Sequence, residues 1–409
     1  MDIAGSKQSL IDVEITTVNK TKRMSTLSSA LKNNAVKLAV GLAFIGVNIL
    51  LYKQSTHIAI AQFLGYPSSE DSNIRLLMSS NYTNSSSESK TVVKEGLHFS
   101  LTPPPSLPPL SPSSPALLKK LAFLREPVIN PHPYNYTLFP SVSCSKQPVE
   151  LAICVPISRD NFMGRQTIRE TWGSYANSTA NKAVLVFFIG SELQTSDSPS
   201  ATQRRIDEES KLFGDILQES YIDHYNNLSL KSVSILKWVA SYCSESRYVL
   251  KADDDMYVNI PLLAKTLPKL SLSSPQSAFV VGSVQYGARP IRSRSSKWYT
   301  PHSVFKGSVY PNYASGTAYA MTTEAAQILY EASLRVPLFW LEDIYITGLC
   351  TAKSNVLVMN SNLFTYDKPD ASGCSFRAHI SGHRYKLEEI RLIHRELYDP
   401  NTVCEKSGT

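Results

Sequence analysis

The 409-residue chain lacks the marks of several protein classes. Its formal net charge is +7, but Lys and Arg are spread widely, and no dense basic run is interleaved with aromatic residues. This argues against nucleic acid as a partner. None of the six cysteines forms a Cys-x-x-Cys pair, which argues against a zinc ribbon or a thioredoxin motif. No internal repeat is present.

Cysteine is also absent from the first 140 residues, and all six cysteines follow them: Cys144, Cys154, Cys243, Cys350, Cys374 and Cys404. If that part of the chain is lumenal, disulfides are the natural interpretation, and their connectivity stays open.

Long apolar runs are scarce, and the strongest one lies near the N-terminus. Residues 38–52 form an apolar stretch of about 15 residues, short beside the roughly 20 needed to span a bilayer. Lys20, Lys22, Arg23 and Lys32 precede it and favour a cytoplasmic N-terminus. We predict a cytoplasmic tail at 1–36 and a signal-anchor transmembrane helix at 37–53. The alternative is a cleaved signal peptide, since residues 59–61 have a small-x-small form.

A Ser/Pro-rich segment follows the apolar run. Such a composition buries too little apolar surface to fold, so residues 54–145 are predicted to be a disordered lumenal stem. Five N-glycosylation sequons lie behind the anchor and fit a lumenal location, namely those of Asn81, Asn84, Asn135, Asn177 and Asn227.

From about residue 150 the chain alternates between strand and helix patterns. Buried strands are predicted at 151–158, 183–190, 215–217 and 247–252, with helices at 164–172, 201–213 and 228–242 between them. This alternation predicts an α/β domain with a mostly parallel sheet. Ligands bind beyond the carboxyl ends of the strands in such sheets, where the last predicted strand runs into an acidic triplet.

The triplet is Asp253, Asp254 and Asp255. Three adjacent carboxylates repel one another unless a cation lies among them, and oxygen ligands suit Mg²⁺ or Mn²⁺. In an extended segment Asp253 and Asp255 face one side and Asp254 the other. A solvated acidic turn or a helix N-cap is the alternative.

Seven short motifs follow one another along about 240 residues: RQTIRETWG at 165–173, FFIG at 187–190, DHYNNLSLK at 223–231, KADDDMYVN at 251–259, YPNYASGTAY at 310–319, EDIY at 342–345 and HRYKLEE at 383–389. In this order they resemble glycosyltransferase family 31, the β-1,3-galactosyltransferase and β-1,3-N-acetylglucosaminyltransferase family. The resemblance implies an inverting enzyme with a GT-A fold in the catalytic domain, here 146–409.

The resemblance also implies roles for individual residues. Asp343 is the expected catalytic base, with a helix N-cap as its other interpretation. Asp255 is the expected metal ligand, with His383 as a second and His379 as its rival. The resemblance implies further contacts to the nucleotide-sugar donor from Arg165, Arg169, Lys231, Asp253 and Asp254.

Several of these roles have structural alternatives. Arg165 and Arg169 could pair with Glu170 or other acids, and Lys231 could lie at the solvent face of its helix. Trp172 is expected in the core. Acceptor-binding residues are expected among Trp298, Tyr299, Tyr313, Gly316 and Glu342, although Trp298 and Tyr299 could equally serve in packing.

The implied reaction transfers a hexose, with galactose as the first expectation, from a UDP-sugar to a hydroxyl group of an acceptor glycan. The product has a β-1,3 linkage, and the expected cofactor is Mn²⁺ or Mg²⁺. UDP-N-acetylglucosamine is the alternative donor. A non-catalytic sugar-binding or chaperone relative and a glycosidase are the other classes considered. The expected location is the Golgi membrane as a single-pass type II protein, and assembly with itself or other transferases stays open.

The sequence departs from the family pattern at two places near the expected base. Ile346 and Thr347 separate Tyr345 from Gly348, one residue more than the family's E-D-V-Y-V-G. The segment 316–318 is less rich in glycine than is common in the family. Because donor and acceptor sugars are expected to meet at this second segment, the choice of donor sugar stays open.

Overall fold

The computed structural model describes residues 122–142, 144, 148–193 and 198–404. The predicted tail, the predicted anchor, most of the predicted stem and the sequons of Asn81 and Asn84 lie outside these residues. No helix within the described ranges is both long and apolar enough to cross a membrane.

The strands fall into one large sheet and one small one. Their bounds are β1 Tyr136–Leu138, β2 Leu151–Pro156, β3 Ala183–Ser191, β4 Ile216–Ile222, β5 Tyr248–Ala252, β6 Tyr257–Val258, β7 Phe279–Gln285, β8 Tyr313–Thr322, β9 Leu357–Asn360 and β10 Ser381–Gly382.

Seven α-helices and one π-helix occur in the described part of the chain. The α-helices are α1 Phe162–Glu170, α2 Ala201–Phe213, α3 Leu228–Tyr242, α4 Ile260–Ser273, α5 Thr323–Ser333, α6 Thr351–Ser354 and α7 Leu387–Tyr398. The π-helix spans Ile344–Cys350.

The large sheet has the strand order β1-β4-β3-β2-β5-β8-β7-β9. Strands β4, β3, β2 and β5 run parallel to one another, and β8 pairs antiparallel with β5 and β7. Strands β7 and β9 are parallel. The predicted α/β architecture with a mostly parallel sheet is therefore confirmed, and the antiparallel β8 brings a second chain segment beside the end of β5.

Local sequence signals explain why the predicted elements form. Helix α2 begins after Ser200, whose hydroxyl accepts a hydrogen bond from Gln203 N at 3.0 Å, and it ends at Gly214, whose φ is 63°. Both are standard helix boundaries. Helices α2 and α3 have their predicted bounds, while the predicted strand at 215–217 is longer and extends through Ile222.

Strand β2 illustrates how the sheet is buried on both faces. Leu151, Ile153 and Val155 pack into one hydrophobic cluster. The alternate residues Ala152 and Cys154 pack into the other. Because side chains alternate across a strand, a strand covered by helices on both faces is apolar throughout.

The folded unit begins earlier than the predicted domain boundary at residue 146. Phe123 is buried in the core, and β1 adds an antiparallel strand to the edge of the sheet beside β4. His132 contributes to the same attachment, since its Nε2 lies 2.7 Å from Glu219 Oε2. Part of the predicted stem therefore belongs to the catalytic domain.

Four of the six cysteines form disulfides, Cys144–Cys243 and Cys374–Cys404. The expectation of disulfides is thus confirmed for these two pairs. Cys154 and Cys350 are free and buried.

Candidate active site

A cleft of about 940 Å³ opens at the carboxyl ends of the parallel strands. Its lining includes residues that directly follow β2, β4 and β5, such as Ile157, Asp223 and Asp253. The segment 313–317 of β8 and the turn around Asp343 close another side. The acidic triplet therefore lies where the strand pattern predicts a ligand site.

All three triplet carboxylates line this cleft. Burial raises the pKa of Asp253 to about 6, against the opposing effect of the Lys251 ammonium group. Burial also raises the pKa of Asp254, although Asn161 Nδ2 donates to Asp254 Oδ2 at 2.7 Å and opposes the shift. The cluster thus favours a bound cation, as closely spaced carboxylates do.

Lys251 connects the triplet to the expected catalytic base. Its side chain is buried, and its Nζ lies 2.6 Å from Asp253 Oδ1 and 3.5 Å from Glu342 Oε2. It also donates to the carbonyl oxygen of Gly316. One ammonium group therefore joins β5, β8 and the segment that carries Asp343.

Asp343 lines the same cleft and lies at the start of the π-helix. Its Oδ1 accepts from Ile344 N at 2.9 Å and its Oδ2 from Gly316 N at 3.3 Å. Burial, and then the neighbouring Glu342 carboxylate, raise the pKa of Asp343 to about 6. The residue caps the helix, as its alternative interpretation predicts, and its carboxylate also lines the cleft.

Gly316 permits this approach of β8 to Asp343. A Cβ atom at this position would lie 2.9 Å from Glu342 Oε2 and 3.1 Å from Asp343 Cβ, closer than van der Waals contact allows. Glu342 itself is buried and accepts a 2.6 Å hydrogen bond from the Tyr319 hydroxyl. Asp343 is therefore the better placed of the two carboxylates to meet an acceptor.

The one extra residue in the EDIY motif lies in the π-helix. In such a helix the backbone bonds from i to i+5, and short π segments recur at functional sites. The Thr347 hydroxyl accepts from Ala314 N at 3.0 Å and lies 2.6 Å from the carbonyl oxygen of Asp343. The widened turn thereby joins β8 to the Asp343 turn.

Asp255 and His383, the two residues expected to bind a metal, lie side by side. His383 Nε2 lies 3.3 Å from Asp255 Oδ2, and both side chains are partly exposed to the cleft. Two ligands at adjacent octahedral positions of Mg²⁺ lie about 3 Å apart, so this pair fits two such positions. No group of three or more side chains that could hold a metal ion occurs among the described residues.

His379 does not share this arrangement. Its Nδ1 lies 2.7 Å from the carbonyl oxygen of Ser375, and it is not among the described residues that line the cleft. Of the two candidate histidines, only His383 lies beside the triplet.

Arg165 and Arg169 lie in an ion-pair network outside the cleft lining. Arg165 is fully buried, with its Nη2 2.6 Å from Glu209 Oε2. Arg169 pairs with Glu209 at 2.7 Å and with Asp215 at 2.7 Å. The two arginines therefore pair with acidic side chains, which was the alternative to donor binding. Their partners are Glu209 and Asp215 rather than Glu170. Neither arginine is among the described residues that line the cleft, so the expected donor contacts are not seen.

Lys231 does not lie at a solvent face. It is buried at the cleft floor, where its Nζ lies 2.7 Å from the carbonyl oxygen of Ile157 and 3.0 Å from Asp223 Oδ1. Burial lowers its pKa, although the Asp223 carboxylate opposes this shift. The pair fixes the floor of the cleft beside the triplet.

The expected acceptor residues are only partly brought together. Trp298 and Tyr313 line the cleft, and Trp298 is 46% exposed with the Lys297 ammonium 4.7 Å from its ring centroid. Tyr299 is not among the described lining residues. Trp172 is buried as expected, and its Nε1 donates to Met256 O at 3.0 Å.

The three sequons in the described residues differ in accessibility. Asn135 and Asn177 are exposed. In the third, Asn227 Nδ2 donates to Ile222 O at 2.8 Å, and the buried Ser229 hydroxyl donates to Phe339 O at 2.6 Å. Because both side chains are engaged, the folded protein disfavours glycosylation at Asn227.

Sequence reasoning did not assign a role to Lys251, Asp223, Asn161, Thr347 or Arg384. Lys251 and Asp223 lie inside recognised motifs, which could have marked them. Arg384 also lies inside such a motif, and Thr347 lies at the departure from the EDIY pattern, whereas Asn161 carries no such signal because its contact with Asp254 joins segments far apart in the chain.

The chain is similar in sequence to known galactosyltransferases. A galactosyltransferase family model matches residues 163–362, which include the triplet and Asp343. Beta-1,3-galactosyltransferase 1 of Homo sapiens is 34% identical over 274 residues, 67% of this chain and 82% of that protein. Beta-1,3-galactosyltransferase 2 of Homo sapiens is 30% identical over 288 residues, 68% of this chain and 67% of that protein.

Among solved structures, the galactosyltransferase LgtC in complex with donor and acceptor sugar analogs is similar with a TM-score of 0.32 and 10% identity. The match covers 61% of this chain and 98% of that chain.

Proposed function

Since this chain belongs to the galactosyltransferase family, we propose that it transfers galactose from a UDP-linked donor to a hydroxyl group of an acceptor glycan and forms a β-1,3 linkage. The observation that supports this most is the arrangement of one cleft. A carboxylate with a raised pKa, Asp343, lines the same cleft as a carboxylate–histidine pair, Asp255 and His383. Inverting transfer requires one base for the acceptor and one cationic site for the leaving diphosphate.

The chemistry assigned to this chain is a single displacement. The acceptor hydroxyl oxygen forms a bond to the anomeric carbon of galactose while the bond to the diphosphate oxygen breaks, and UDP leaves. Asp343 takes the hydroxyl proton. A base with a pKa of about 6 is ionised at neutral pH and still basic enough to share a proton in the transition state.

The donor side of the site consists of the triplet and its neighbours. Asp255 and His383 would hold Mn²⁺ or Mg²⁺, which neutralises developing charge on the diphosphate when it is bound. Asp253 is assigned to the ribose or to a metal-bound water, and Lys251 holds its carboxylate in place at 2.6 Å. The acceptor side is assigned to Trp298, Tyr313 and the Gly316 segment, all in the cleft lining.

A donor screen of the purified protein with Mn²⁺, read by UDP release, tests this proposal. Release from UDP-galactose with a glycan acceptor is expected. Release from UDP-N-acetylglucosamine instead would indicate the alternative donor. Hydrolysis of a glycan without any nucleotide would support a glycosidase, and sugar binding without turnover would support a non-catalytic relative. A soluble form should begin before Ala122, because Phe123 is part of the core.

We assign the protein to the Golgi membrane as a single-pass type II protein with a lumenal catalytic domain. The basic tail before the apolar run, the exposed Asn135 and Asn177 sequons and the two disulfides support this assignment. Endoglycosidase treatment should lower the apparent mass of the expressed protein. An unchanged mass, with the C-terminus open to cytosolic protease, would overturn this topology.

A further inference from the structure

Arg384 has an unusual backbone conformation beside the Asp255–His383 pair. Its φ is 65°, in the left-handed region that side chains other than Asn, Asp and Gly seldom adopt. Two other non-glycine residues in the described chain share this conformation, Lys182 and Asn355, and both end short helices, where it is common. Arg384 lies between β10 and α7 and ends no helix, so capping does not explain it.

The backbone on both sides of Arg384 is held by hydrogen bonds. His383 N donates to Asp367 O at 3.0 Å, and Tyr385 N donates to Asp255 O at 3.0 Å. The Tyr385 hydroxyl adds a bond of 2.6 Å to Pro369 O. Strained residues persist where the surroundings fix them, and they concentrate at functional sites.

The charge of Arg384 is also without an acidic partner. Its side chain is exposed in the cleft lining, and no carboxylate of the described residues lies within ion-pair distance. Its hydrogen bond is from Nε to the adjacent His383 Nδ1 at 3.4 Å. By contrast, Arg159 and Arg165 each pair with a glutamate, at 2.8 and 2.6 Å. A guanidinium group in a cleft without a carboxylate partner is suited to bind an anion.

We propose that Arg384 binds the diphosphate of the nucleotide donor beside the Asp255–His383 pair. This assignment rests on the function proposed above. A guanidinium group matches phosphate oxygens in a bidentate geometry, and it would share the neutralisation of the departing diphosphate with the metal. The left-handed backbone serves to direct the side chain into the cleft while both flanking residues stay bonded to the fold.

Calorimetric titration of the full-length protein with UDP and with uridine tests the assignment. Arg384→Asn is the informative variant, because Asn tolerates the left-handed conformation while the guanidinium group is removed. A hydrogen bond to a charged group corresponds to roughly 10- to 100-fold in affinity. We expect the Kd for UDP to rise by about this factor, both with Mn²⁺ and in EDTA, while the Kd for uridine stays unchanged.

Arg294→Asn is the matched control, since Arg294 is an exposed arginine outside the described cleft lining. It should bind UDP like the wild type. If Arg384→Asn and the wild type bind UDP with equal affinity, the assignment of Arg384 is overturned and the proposed function is not. The same holds if the variant loses affinity for uridine and UDP equally, because that result indicates a distorted site. If the wild type binds no UDP, the proposed function itself is overturned.

Discussion

The Thr347 hydroxyl lies 2.6 Å from the carbonyl oxygen of Asp343, so the π-helix is tied to the turn that carries the proposed base. The same hydroxyl accepts from Ala314 N at 3.0 Å and is fully buried. This side chain is therefore one of the contacts that hold β8 beside the Asp343 turn.

Thr347→Val should weaken this connection, because valine has a similar shape but leaves Ala314 N without its partner. An unsatisfied buried group costs about 1–3 kcal/mol in the free energy of unfolding. We also expect a lower kcat, with a smaller change in the KM for the donor. Thermal melting and steady-state kinetics measure both effects. Thr347→Ser keeps the hydroxyl and should restore most of the kcat. Equal losses in Ser and Val variants would contradict the positioning role.

Asp343→Asn should lower kcat by about 10²–10⁴-fold, because the amide cannot take the acceptor proton. UDP affinity should stay within a small factor of wild type, since the proposed donor contacts come from the triplet and His383 rather than from Asp343. Kinetics and UDP titration on the same preparation provide the two measurements. If Asp343→Asn retains most of its kcat, the base must be another residue, and Glu342 is the next candidate.

The raised pKa of Asp343 predicts a pH profile. The wild-type kcat/KM should fall as the pH drops through about 6, because the base becomes protonated. The residual activity of Asp343→Asn should lack this limb. A wild-type profile that is flat between pH 5 and 8 would exclude a base with this pKa.

The contribution of Asp343 to stability should fall as the pH rises, whereas its contribution to kcat/KM should rise. A carboxyl with a raised pKa in the folded state stabilises the fold below its unfolded pKa of about 3.9, and this contribution is lost as the pH rises through about 6. Asparagine still accepts the Ile344 N–H bond. At pH 8 the melting temperature of Asp343→Asn should therefore be at least as high as that of the wild type. Near pH 4 the melting temperature of the variant relative to the wild type should be lower than it is at pH 8. Calorimetric melting at the two pH values measures it.

His383→Ala should remove a ligand of the proposed metal. Turnover should fall strongly, because metal assistance contributes several kcal/mol to the transition state. The rise in melting temperature on adding Mn²⁺ and UDP should also shrink. Asp255→Ala should behave alike. His379→Ala is the matched control, since His379 contacts Ser375 O and is not among the described cleft residues. Undiminished Mn²⁺ dependence in His383→Ala would remove it from the metal site.

Loss of the Cys144–Cys243 disulfide should destabilise the fold by about 2–4 kcal/mol, because it closes a loop with a sequence separation of 99. Cys243→Ala and mild reduction should both lower the melting temperature. Cys154→Ala is the control for a buried free cysteine and should have the smaller effect. A Cys243→Ala variant that melts like Cys154→Ala would show that the disulfide contributes little.

The sequence by itself determined the parallel half of the sheet and the position of the triplet. Local sequence patterns predict strands such as β2 and β5 and the helices α2 and α3 between them. A strand buried on both faces requires a continuous apolar run, which is visible in the sequence. Because Asp253 directly follows β5, it lies at the carboxyl edge of the sheet, where ligands bind. The motif resemblance added Asp343 and His383 as the expected base and ligand.

The tertiary structure decided which of these residues meet. Arg165 and Arg169 lie in the same kind of motif as Asp343, but helix α2 supplies Glu209 as their partner, and no local pattern announces that ion pair. Hydrogen bonds from Gly316 N to Asp343 and from Ala314 N to Thr347 bring β8 against the Asp343 turn, and β10 brings His383 to Asp255. These contacts join segments far apart in the chain, and their register depends on the packing of the whole core rather than on any local pattern.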